Sequence, residues 1–164
     1  MKARIDTRNG EALFSSFVPD AALPSERLID LITDRPLGRS GPSASGLEQR
    51  LDVASRTPLN ALACGQVRML VGQKIGLKWL ARPVALFVAA HPMAECDLCP
   101  GDLTVNALRA LDDLMIHAFE ETRLMIAADF SVLEGERAEA GDDALLLDAL
   151  GALGSAREAL GVVA

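Results

Sequence analysis

The stretch Leu103-Thr-Val-Asn-Ala-Leu-Arg-Ala-Leu-Asp-Asp-Leu-Met-Ile-His-Ala-Phe119 decides the fold class. Its apolar residues Val105, Leu108, Leu111, Met115 and Phe119 stand 3, 3, 4 and 4 apart, which keeps one stripe of a helix against a core. Asp113, Glu120 and Glu121 fall on the opposite side. The spacing therefore predicts a long amphipathic helix from Leu103 to about Leu133 that carries a ridge of carboxylates. Ala and Leu dominate the rest of the chain and β-branched alternation is scarce, so the expectation is an all-α protein. At 164 residues, half of them apolar, one compact multi-helix domain spanning 1–164 is the natural size.

Working upstream, His91 to Asp102 reads as an irregular segment, preceded by a buried helix Val84 to Ala90 with Pro83 in its first turn. Gly72 and Gly76 bracket a turn after a helix from about Ala63 to Gln73. That helix is weakly started, because Ala63 offers no side-chain acceptor for a free backbone donor and Gly65 costs about 0.5–1 kcal/mol. Ser45 and Glu48 stand in the Ser-x-x-Glu relation of a capping box, which opens a helix to about Ser55. Ser25 can cap a short helix, Glu26 to Asp34, that stops ahead of Pro36. From Met1 to Val18, with the polar turn Arg8-Asn9-Gly10-Glu11, a short N-terminal hairpin fits as well as a turn. Downstream, Gly135 to Gly141 reads as an exposed connector. Asp142 and Asp143 favour a last helix with Leu146, Leu150, Leu153 and Leu160 inward, weakened by Gly151 and Gly154.

Charge is distributed unevenly. Residues 1–90 carry twelve Lys/Arg against eight Asp/Glu, a balance of +4, whereas residues 91–164 carry four against fifteen, a balance of −11. Such a surface repels phosphate backbones, and with no Tyr, one Trp and five Phe there are few rings for bases to stack on. Direct nucleic-acid binding is thereby disfavoured. A basic protein partner would be attracted, although an acidic helical face is ordinarily just a solvated one. The longest unbroken apolar run, Val84 to Ala90, is far short of a membrane span, and Met1-Lys-Ala-Arg-Ile-Asp6 has no signal-peptide apolar core, so a cytoplasmic protein without membrane contact is expected.

Catalytic patterns are weak. Cys96-Asp-Leu-Cys99 is a C-x-x-C with His91 upstream, but Pro100-Gly-Asp102 separates it from the following helix and no strand precedes it, as a thioredoxin-like site requires. A zinc site would have to recruit Cys64 and His91 at unusual spacing, and a zinc deaminase would need a His-x-Glu that is missing. Incidental loop cysteines are the simpler reading, with a small redox or metal-binding module as the alternative. His117 has Asp113, Glu120 and Glu121 at helical spacing, which suits a salt-bridge partner better than a general base. No nucleophile elbow and no phosphate-cradling loop occurs. The expectation is a protein that is not an enzyme and needs no cofactor.

One set of motifs goes further. Thr57-Pro-Leu-Asn-Ala-Leu62, Val67-Arg-Met-Leu-Val-Gly-Gln73, Ile75-Gly-Leu77, Pro92-Met-Ala-Glu-Cys-Asp97 and Pro100-Gly-Asp-Leu103 follow one another in order. Together they resemble the immunity proteins of bacterial contact-dependent growth inhibition systems. That family reads K-P-L-x-x-L-T-x-E-D-L-R-x-L-I-G-Q-x-I-G-L, then N-P-L-x-E-G-D-x-Y-P-G-D-L. The likeness covers roughly residues 45–105. It departs at the helix start, where Ala63 and Gly65-Gln66 replace Thr and Glu-Asp, and in the loop, where Cys96 and Cys99 replace Gly and Tyr.

The resemblance implies a cytoplasmic protein that binds the C-terminal toxin domain delivered by a neighbouring cell and neutralises it by stoichiometric contact. Such toxins are often nucleases, whose basic grooves suit an acidic inhibitor. From the separate reading of charge, the expected toxin contacts are Asp112, Asp113, Glu120 and Glu121, with Glu134, Glu136 and Glu139. Gly72, Gln73, Gly76, Asp97, Gly101 and Asp102 are assigned to turns and a helix-start cap. A helical adaptor or regulatory domain with an unrelated partner is the remaining alternative.

Overall fold

A computed structural model describes residues 10–140 and 143–163, and the side chains of all of these but 137–140. The architecture is all-α. Among the described residues there are nine α-helices: α1 (Leu28–Leu31), α2 (Gly46–Arg56), α3 (Cys64–Gly72), α4 (Leu77–Ala90), α5 (Asp102–Arg109), α6 (Leu111–His117), α7 (Phe119–Ile126), α8 (Ser131–Ala140) and α9 (Ala144–Leu160). Short 3-10 turns at Phe14–Phe17 and Leu59–Ala61 complete them. Among the described residues, extended pairing is limited to isolated bridges, Leu13 with Ala63, Arg27 with Pro58 and Glu95 with Pro100.

Helix α4 is the axis of the fold. Leu77, Leu80, Ala81, Pro83, Val84, Ala85, Phe87 and Val88 are all buried, as expected of a helix apolar on most of its circumference. It packs against α6 and α7 on one side and α5 on another, while α5 also rests on α3 and α9. Phe14 and Phe17 lie on Phe87, with ring centroids at 5.2 and 5.9 Å. This helix begins well before Val84 and holds Pro83 in its interior, a correction to the first-turn reading. The upstream turns form because Gly76, at φ 73°, turns the chain out of α3 and its carbonyl accepts from Trp79 N and Leu80 N at 3.0 and 3.1 Å. Burial of Leu77, Leu80 and Ala81 offsets the hydrogen bond that proline cannot donate.

The predicted long helix over 103–133 is not continuous. It breaks at Ala110 (φ −101°, ψ 20°) and at Ala118 (φ −151°, ψ 64°), and again after Ile126. A straight helix of that length would reach about 46 Å, against a radius of gyration of about 15 Å for a chain of this size. The breaks let α6 and α7 wrap round α4. Leu108 and Leu111 are buried as the stripe requires, but the turn at Ala118 swings Phe119 out to 46% exposure and brings Thr122, Met125 and Ile126 inward.

Other elements differ in extent. The helix expected over Glu26 to Asp34 shrinks to α1, because the backbone on either side is tied elsewhere: Pro24 O accepts from Asn60 N and Glu26 O from Leu59 N. Gly135 to Ala140, expected as a connector, belongs to α8, whose start is bonded by Asp129 Oδ1 to Ser131 N at 2.9 Å. The described part of the N-terminal segment bridges to the stretch that enters α3, since Phe14 N donates to Leu62 O, Cys64 N to Ala12 O and Gly65 N to Gly10 O. The other half of the hairpin reading, residues 1–9, lies outside the described residues, as does Asp142.

Of the cap readings, the one at Ser25 fails, because α1 starts at Leu28 with Arg27 as its N-cap and no side-chain cap, while those further along hold. Ser45 and Glu48 form the reciprocal capping box of α2. At Ala63 only half a box exists: Gln66 Oε1 accepts from Ala63 N at 3.0 Å, and nothing on the alanine returns the bond. Asp143 caps α9 through Leu145 N and Leu146 N.

Candidate functional site

The acidic residues expected to meet a partner divide by what holds them. Asp113 is bridged to Lys74 Nζ at 3.3 Å and Glu134 to Arg157 Nη1 at 3.1 Å. Glu121 accepts from Arg82 Nε at 2.8 Å, and that guanidinium holds its carboxyl below the ordinary range. Asp112, Glu120 and Glu136 are exposed and take part in no ion pair among the described residues. Glu139 lies outside the residues whose side chains are described. There is accordingly no single ridge of free carboxylates. Arg157 does more than pair with Glu134, since Nε and Nη2 donate to Ile126 O and Ala128 O and tie the α7–α8 turn to α9.

The free carboxylates have apolar neighbours along the chain. Ile116 is 76% exposed at the end of α6, Phe119 46% at the start of α7 and Leu124 62% further along α7. Asp112 and Glu120 lie on the same two helices, each four residues along the chain from Ile116, with Glu120 across the break at Ala118. Large apolar side chains exposed in one short stretch and rimmed by charge are the composition of a protein contact: burying each yields about 1–2 kcal/mol, and the charges orient the partner. His117 is exposed in the last turn of α6, and no ion pair with Asp113, Glu120 or Glu121 forms.

On another part of the molecule, the motif segments meet. Asp102, only 5% exposed, opens α5 and turns its carboxylate back over the preceding loop. Oδ1 accepts from Cys96 N and Leu103 N at 2.9 and 2.8 Å, and Oδ2 from Asp97 N and Leu98 N at 2.9 and 2.8 Å. Gly101, at φ 80°, makes that reversal possible. Arg68 of α3 faces the same loop, with Nε 3.6 Å from Asp102 Oδ2 and Nη1 3.6 Å from Asp97 Oδ2. Those separations are ionic contacts without hydrogen bonds, and the buried Arg68 Nε has no acceptor. Gly72 lets α5 approach α3: a Cβ there would stand 2.8 Å from Asn106 Nδ2, which donates to Arg68 O at 3.0 Å.

Between α2, α3, α5 and the start of α9 lies an open groove of about 930 Å³. Arg50, Arg68 and Arg109, each from a different helix, line it together with Gln73, Asp97 and Asn106. The residues were not legible as a set, because nothing in their spacing links positions on three helices. The one local signal the sequence offers is Arg68, a charge inside the apolar Val67-Arg-Met-Leu-Val71.

The cysteines pair differently from their spacing. Cys96 is fully buried and hydrogen-bonded to the thiol of Cys64, whereas Cys99 is exposed. That contact and burial push the Cys96 thiol up, and partial burial raises Cys99 as well, with Asp102 adding to it. A reactive Cys96–Cys99 pair would need the opposite shift; the same contact does lower Cys64, but that thiol is fully buried. Among the described residues no group of three His, Cys, Asp or Glu is placed to hold a metal ion, and no helix is long and apolar enough to cross a membrane. His91 stacks edge-on against Phe87 at 5.5 Å. No protein-family model matches the chain, and neither a curated protein nor a solved structure does.

Proposed function

We propose that this protein neutralises one toxin domain by stoichiometric binding, in the manner of a contact-dependent growth inhibition immunity protein. The α6–α7 face is its contact surface. One observation carries the reading: Ile116 and Phe119 stand exposed in a short stretch that also holds Asp112 and Glu120, exposed carboxylates that make no ion pair among the described residues. The apolar pair supplies affinity and the carboxylates supply encounter rate toward a basic surface. A nuclease domain is the partner class whose chemistry fits, since its phosphate-binding groove must be positive. Asp113, Glu121 and Glu134 are engaged by Lys74, Arg82 and Arg157, so they shape the surface from within and contribute less to contact. The motif likeness over residues 45–105 supports the same class of activity.

The test is co-expression with the C-terminal toxin domain encoded by the adjacent gene, scored for growth. Wild type rescues. A variant combining Ile116→Ser, Phe119→Ser and Glu120→Lys folds, because all three side chains are exposed, and fails to rescue. Purified pairs show the matching loss of affinity and of its salt dependence. Failure of the wild type to protect, or full protection by the triple variant, defeats the proposal. Protection lost without any physical complex would instead favour a regulatory role.

A further inference from the structure

We propose that the groove between α2, α3 and α5 binds a small organic anion with an apolar body. Three arginines from three helices line it in a chain whose net charge is −7. Their donors are largely unspent. Arg50 makes no ion pair among the described residues, Arg109 spends Nε on Asp148 Oδ2 at 3.4 Å and keeps its two terminal nitrogens, and Arg68 is held ionically without a hydrogen bond. Asp97 and Asp102 already offset Arg68, and Glu11 is a further carboxylate on the lining, so Arg50 and Arg109 are the groups left to hold a carboxylate or a phosphate.

The walls define the rest of the ligand. Val53 and Leu145, 59% and 51% exposed, face the groove with Met69, an arrangement that leaves apolar surface wet next to guanidinium donors. A fully hydrophilic anion would leave that surface uncovered. An uncharged apolar molecule would leave the arginines unanswered. At about 930 Å³ the groove is in the size range of small-molecule sites. This inference stands apart from the toxin contact, which lies on α6 and α7.

The probe is 8-anilinonaphthalene-1-sulfonate, an aromatic sulfonate, titrated against its uncharged relative N-phenyl-1-naphthylamine by fluorescence on the whole protein. One sulfonate binds per chain. Arg50→Ala with Arg109→Ala weakens it at least tenfold and leaves the neutral probe unchanged, while Ile116→Ser with Phe119→Ser changes neither. Arg50→Ala alone serves as the fold-neutral control, since no ion pair among the described residues depends on that side chain, and shows a several-fold loss. Inorganic phosphate and glutarate in competition tell which head group the arginines prefer. The inference is overturned if the arginine variants leave sulfonate affinity intact or weaken both probes alike. It is equally overturned if neither anion competes, or if the α6–α7 variant abolishes binding.

Discussion

Replacing Asp102 by alanine tests the link between loop and helix most severely. Its carboxylate serves three amides of the 96–98 segment and stands beside Arg68, so removal acts on several groups at once. Their costs differ. Cys96 N lies on a fully buried residue and has nowhere else to donate, which costs about 1–3 kcal/mol. Asp97 and Leu98 are exposed, and their amides can turn to water for a fraction of that. Arg68 loses the buried member of its two counter-charges, a further loss on the order of 1–2 kcal/mol after allowance for Asp97. The total is about 2–5 kcal/mol, or about 10 °C in melting temperature near the middle of that range. Asp102→Asn keeps one acceptor oxygen and loses about half as much. Urea unfolding gives the free energies, and amide hydrogen exchange at Cys96 reports the local opening. A loss below about 1 kcal/mol for the alanine variant, or an unchanged Cys96 exchange rate, would refute the reasoning.

Four other outcomes follow from particular contacts. Gly72→Ala forces Asn106 off Arg68 O and destabilises by about 1–2 kcal/mol net of improved helix propensity; Asn106→Ala in the same chain recovers part of it in a double-mutant cycle. Gly151→Ala and Gly154→Ala, whose added Cβ atoms would meet open space, each stabilise α9 by about 0.5–1 kcal/mol, read by thermal melting. The Glu48 carboxyl, held down to about 2 by the Arg39 guanidinium and then by Ser45, titrates there in a carbon-detected NMR experiment and moves up when Arg39 becomes alanine. Because its folded value lies below the ordinary 4.5, its contribution to stability is complete above that pH and is lost as pH falls through about 2; Glu48→Gln removes this acid-side dependence. A thiol reagent labels Cys99 alone in the native protein, slowly because that thiol is raised, and reaches Cys64 and Cys96 only on unfolding; rapid labelling of all three would contradict their burial.

The all-α architecture, the capping box of α2, the half-formed start of α3, the Asp143 cap and the inward leucines of α9 follow from the chain read by itself. Each depends on residues within a turn or two of one another, where hydrogen-bond partners and helical spacing are local facts. Fitting the helices around α4 decided the rest. It broke the stretch after Leu103 at two alanines, neither of which signals a break, and turned Phe119 from core to surface. It also gave Asp113 and Glu121 to Lys74 and Arg82, while leaving Asp112 and Glu120 open. Three arginines far apart in sequence came to share one groove by the same packing. Spacing along a chain can say which face of a helix is charged, but how much of that charge the molecule itself neutralises depends on which helix arrives opposite, and that is a property of the assembled fold.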